Sequence, residues 1–133
     1  MRLEISKEGT FIPEFNGNKK LPATDQITVR YKMPTVAIKN RCRKNPQTKG
    51  ISDSKGNIER MEVIVERDDV TTLNEMLLSI SNCSYAGGDG KDDCVIASVK
   101  DLINAPIDFE PLLKEIVAEF DRLLDRSGLA EKN

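Results

Sequence analysis

An α+β fold, with a small antiparallel N-terminal sheet and mainly C-terminal helices packed on it, follows from three observations. Short apolar/polar alternations fill the first half of the chain, and apolar residues at helical spacing fill the second. At 133 residues the chain has room for one modest core, so a single domain is expected: a basic, strand-rich part over 1–50 and an acidic, helix-rich part over 51–133.

The elements follow in order. Arg2-Leu3-Glu4-Ile5-Ser6 alternates with a period of two, which predicts a short strand turned by Lys7-Glu8-Gly9. Phe11 to Phe15 reads as an edge or extended segment, because Pro13 cannot donate to a central ladder. Asn16-Gly17-Asn18 is a turn. Gln26 to Met33 is the clearest strand: Ile27, Val29, Tyr31 and Met33 share one face, and Thr28, Arg30 and Lys32 share the other. Thr35 caps a short helix to about Lys44 whose apolar side is Val36, Ile38 and Cys42. Breakers and turn formers from Asn45 to Asn57 predict an exposed loop.

Val63-Ile64-Val65 predicts a strand over 59–66 that delivers the chain to a helix. That helix runs from Val70 to Asn82, capped by Asp69 or by Thr72 with Glu75, since Val70, Leu73, Met76, Leu77 and Ile80 recur at helical spacing. A polar loop follows over 83–93, then the brief apolar run Cys94 to Ala97. Ser98 to Asp101 is a capping box for a short helix stopped by Pro106. Asp108 caps the last helix, Pro111 lies in its first turn and Gly128 ends it. Phe109, Leu112, Leu113, Ile116, Val117, Phe120, Leu123 and Leu124 form one stripe along it.

Charge divides the chain as sharply as periodicity does. Through Ser52 there are 11 Lys/Arg against 4 Asp/Glu, a net +7; from Asp53 onward there are 9 against 18, a net −9. Such opposed halves suit binding to other macromolecules or to further copies of the chain, including head-to-tail self-association, better than turnover of a small molecule. Arg30, Lys32, Lys39, Arg41, Arg43, Lys44 and Lys49 fall in a stretch, 26–52, without an acidic residue. Tyr31 is its sole aromatic and belongs to the apolar strand face, so base stacking has little to work with. An acidic protein surface fits the segment better, and a small nucleic-acid-binding regulator using 30–49 is the second reading. On the terminal helix, Phe109, Leu113, Val117, Phe120 and Leu124 are candidates for contact with a partner if the stripe exceeds what the core needs.

Chemistry is sparse. With no histidine, a papain-like or serine-protease-like triad is excluded, and no catalytic residue is assigned. Cys42, Cys83 and Cys94 have neither disulfide-framework nor zinc spacing and read as thiols of a reducing cytosol. Asp53 to Asn57 and Asp89 to Asp93 are turns lacking the calcium-loop pattern, and Gly87-Gly88 is not a phosphate loop. No metal or cofactor is expected. Apolar runs of four or five residues are too short to span a membrane, and the first residues lack a signal-peptide core, which predicts a cytoplasmic protein.

Read in order, Phe11-Ile-Pro-Glu-Phe15-Asn-Gly-Asn18, Tyr31-Lys-Met-Pro-Thr35, the loop and acidic strand, the 70–82 helix, Val99-Lys-Asp-Leu-Ile-Asn-Ala-Pro106 and the closing Ser127-Gly-Leu-Ala-Glu-Lys-Asn133 make the chain similar to the bacteriophage tail assembly chaperones. These are short proteins made upstream of the tape-measure protein in long-tailed phages and prophages. The resemblance implies a non-enzymatic protein that binds the tape-measure protein, keeps it from aggregating, helps bring tail-tube subunits to it and self-associates. It also implies a frameshifted longer form, for which Glu131-Lys132-Asn133 permits a slippery adenine run. It assigns no site residue.

Overall fold

The computed structural model describes residues 1–43, 47–52, 54–64 and 68–130, with 47–52, 58–64 and 126–130 described by their backbone. The fold is α+β. A three-stranded antiparallel sheet has β2 (Thr28–Lys32) at its centre, flanked by β1 (Glu8–Phe11) and β5 (Leu77–Ser81). Helices α1 (Val36–Cys42), α2 (Asp69–Met76) and α4 (Glu110–Ala130) pack together, with α2 against the sheet, and α3 (Val99–Ile103) leads into α4. Two short ribbons complete it: β3 (Gln47–Ser52) with β4 (Ile58–Ile64), and β6 (Ser84–Tyr85) with β7 (Cys94–Val95).

The sheet buries one face, as the alternation in β2 predicts: Val29 and Tyr31 are buried while Arg30 and Lys32 are exposed. Tyr31 meets Phe120 of α4 edge-on, with ring centroids 5.6 Å apart. Around that contact lie Leu73, Met76, Leu112, Ile116, Leu123 and Leu124, so the stripe of the last helix is chiefly core.

Five expectations are corrected. The first strand is Glu8–Phe11, not 2–6, because Gly9, expected in a turn, sits opposite Tyr31 in the ladder where a larger residue would collide with the ring. Residues 47–52, expected in a loop, form β3 and pair antiparallel with β4, the register shifting between Ile51 and Ser52. The helix expected over 70–82 stops at Met76, and its cap is Asp68, which accepts from the Val70 and Thr71 amides at 3.0 and 3.4 Å. The rest of that stretch is β5. Tyr31 opposes Leu77 and Arg30 opposes Ser79, so Leu78 is an extra, bulged residue that returns both Leu77 and Ile80 to the core face. Val36 turns outward at 79% exposure, leaving Ile38 and Cys42 as the buried side of α1. Finally, α4 runs through Gly128 to Ala130, since glycine without a left-handed φ continues a helix at a cost of about 1 kcal/mol.

Buried polar contacts lock the N-terminal turn. Asn18 is buried; its side-chain amide donates to the carbonyls of Pro13 (2.9 Å) and Ile27 (3.0 Å), and its oxygen accepts from the Ile27 amide (2.6 Å). From α4, the Glu115 carboxylate accepts the amides of Glu14 (2.6 Å) and Phe15 (3.1 Å), capping the 3-10 segment Phe15–Lys20. Among the described residues, no helix is long and apolar enough to cross a membrane.

Candidate functional site

The basic segment is less bare in the fold than in the sequence. Glu8, brought alongside by β1, lies 3.5 Å from Arg30. Arg41 of α1 makes two hydrogen bonds of 2.8 Å to the carboxylate of Glu75 on α2. This fork-to-fork contact holds the Glu75 carboxyl below its usual range and raises the Arg41 guanidinium. Two of the cations thus face carboxylates of their own chain, which the local acid-free stretch could not reveal. Lys32 and Arg43 are exposed, Lys39 is half-buried, and Lys44 lies outside the described residues, as does the side chain of Lys49.

The apolar candidates separate into two groups. Val117, Phe120 and Leu124 are core residues, covered within the chain. Phe109 and Leu113 are partly covered and border open space at the elbow between α3 and α4. There a cleft of about 110 Å³ is lined by Leu102, Ala105, Pro106 and these two residues, with Ile103 (43% exposed) and Ile107 (76% exposed) also on its wall and Glu110 as its single charged member. The elbow exists because the Ser98 hydroxyl caps α3 by accepting from the Asp101 amide, after which Pro106 breaks the helix and restarts the chain at a new angle. Asp101 in turn accepts from the Ala97 amide at 3.0 Å, which holds its carboxyl below the usual range. On its other side Phe109 packs between Phe15 and Tyr85, each 5.7 Å away. Here it also lines a second cleft of about 210 Å³ with Asn18, Leu21 and Ile27.

Both clefts fall below the roughly 300–1,000 Å³ of a typical small-molecule site and match one or two inserted side chains. Ile103 and Ile107 were not singled out by sequence reasoning. Their signal was available: two isoleucines flanking Pro106, out of phase with the stripe that fills the core. Burial pushes the Cys83 thiol up, and a hydrogen bond with Cys94 raises the Tyr85 phenol. No cluster of His, Cys, Asp or Glu suited to a metal occurs among the described residues.

What the fold and this surface define is a small α+β protein with an exposed apolar elbow beside a chiefly filled core. No family model matches the chain, and no curated protein or solved structure is similar to it.

Proposed function

We propose that this chain is a non-catalytic assembly chaperone or scaffold of a phage or prophage tail, acting in the cytoplasm of the host bacterium. It binds the long helical tape-measure protein and helps recruit tail-tube subunits to it. The observation that carries this reading is the apolar elbow: Ile103 and Ile107 stand exposed around a cleft sized for a side chain, the arrangement that receives the apolar face of an amphipathic helix. The sequence resemblance supplies the class of helix. Nucleic acid is the weaker alternative, since Arg30 and Arg41 face Glu8 and Glu75.

Co-purification tests the proposal. Expressed with the very long, helix-rich protein encoded just downstream, the chain is recovered as a complex, and Ile103→Glu with Ile107→Glu abolishes recovery while leaving thermal unfolding unchanged. A downstream neighbourhood without such a reading frame, or a complex indifferent to both substitutions, overturns it.

A further inference from the structure

Residues 1–8 are all exposed, and Leu3 and Ile5 are 70% and 72% exposed, more than most large apolar residues of the described chain. They alternate with Arg2, Glu4 and Ser6, a strand pattern without a strand: the Lys7 carbonyl accepts from Met33 N–H at 2.9 Å, and there the ladder with β2 ends. Among the described residues, no backbone hydrogen bond ties 1–6 to the rest of the chain. The segment is therefore an arm that precedes edge strand β1, set off from it by a bend at Lys7, with its own backbone donors and acceptors unmatched among the described residues. Such edges template pairing with another strand.

We propose that this arm pairs antiparallel with the same arm of a second copy of the chain, about a two-fold axis through Leu3. The charges choose both the occupant and the register. Arg2 and Glu4 lie two residues apart, 3.8 Å from each other within one copy. An axis through Leu3 sets Arg2 opposite the second copy's Glu4, and Glu4 opposite its Arg2. It also sets Leu3 against Leu3 and Ile5 against Met1, so that one face is apolar and the other carries two ion pairs. Moving the axis to Glu4 opposes two like carboxylates and leaves Arg2 facing Ser6. Moving it to Ile5 sets Leu3 against Lys7 and asks Arg2 to compete with Arg30 for Glu8. The arm is self-complementary in one register, as an isologous interface requires.

Charge reversal with rescue, read by sedimentation, tests this on the full chain. The wild type is a dimer at high concentration. Arg2→Glu alone and Glu4→Arg alone each weaken dimerisation by about tenfold or more, and the double variant restores it. In a Cys94→Ser background, which removes the exposed thiol, Leu3→Cys cross-links rapidly on oxidation and Ser6→Cys does not. A chain that stays monomeric at every reachable concentration overturns the proposal and leaves the arm to a different protein. A double variant no tighter than the single ones, or Leu3→Cys and Ser6→Cys cross-linking equally, overturns it as well. None of these readouts depends on the tape-measure protein, so the outcome is separate from that of the proposed function.

Discussion

Tyr31 lies over Gly9, its partner across the β1–β2 ladder, so closely that a single methyl group added to the glycine would overlap the phenol ring. The ring cannot simply swing away, because Phe120 meets it edge-on from α4. Glycine is needed here for space rather than for an unusual backbone angle. Gly9→Ala is expected to lower stability by about 1–3 kcal/mol, the usual cost of overpacking, seen as a lower urea midpoint. An unchanged midpoint would mean the Tyr31–Phe120 contact yields freely.

Asn18 makes a different kind of prediction, since its value lies in what it satisfies. Asn18→Ala leaves the Ile27 amide and the carbonyls of Pro13 and Ile27 without the side chain that pairs them. A loss of about 1–3 kcal/mol is expected, with faster hydrogen exchange at Ile27. Asn18→Asp does not rescue, because it keeps the acceptor but loses both donors and buries a charge.

The last helix and the elbow before it should respond oppositely. Phe120 is fully buried, and Phe120→Ala is expected to cost about 3–5 kcal/mol. Ile107 is largely exposed, and Ile107→Glu should stay within about 0.5 kcal/mol of the wild type in urea unfolding. If both substitutions unfold the protein, the elbow belongs to the core and is no docking surface.

Acid should destabilise the fold through two identifiable carboxyls. Arg41 depresses Glu75, and the Ala97 amide with the Ser98 hydroxyl depresses Asp101. Both bind protons more readily unfolded than folded, so their contribution is complete above the unfolded values and is lost as pH falls through the depressed folded ones. The decline therefore begins as pH falls into the ordinary carboxylate range and continues below it, down through the depressed values of the folded state. Glu75→Gln and Asp101→Asn should each flatten this acid limb in thermal unfolding followed against pH.

How much of this could be read without coordinates depends on whether local pattern and long-range pairing agreed. They agreed in β2, where alternation named the buried face, and in α4, where one stripe became much of the core. They conflicted at 77–81: Leu73, Met76, Leu77 and Ile80 keep helical spacing, yet the bulge at Leu78 lets the same three-residue step serve a strand. Pairing with β2 overrode the local signal there, and the dipeptide Leu77-Leu78 carries no mark of it. At the N-terminus, Gly9 looked like a turn because its reason for being glycine sits in Tyr31, 22 positions away. The same blindness applied to the basic segment, whose counter-charges Glu8 and Glu75 come from outside it. Of the apolar contact candidates, Phe109 and Leu113 reach the elbow, while Ile103 and Ile107 were passed over for not continuing a stripe.

The Glu115 carboxylate, which receives the Glu14 amide 101 residues away, has a consequence for how the protein comes into being. Synthesis runs from the N-terminus, so the first turn of the chain emerges from the ribosome long before the residue that secures it. β1 and β2 can meet early, but β5 and then α4 must be made before the sheet has its second neighbour and its cover. Non-local closure of this kind slows folding and lengthens the interval in which β2 lies open on one side. Nascent chains released before α4 should accumulate as aggregates, and a ribosome pausing inside the last helix would hold every copy in that vulnerable interval.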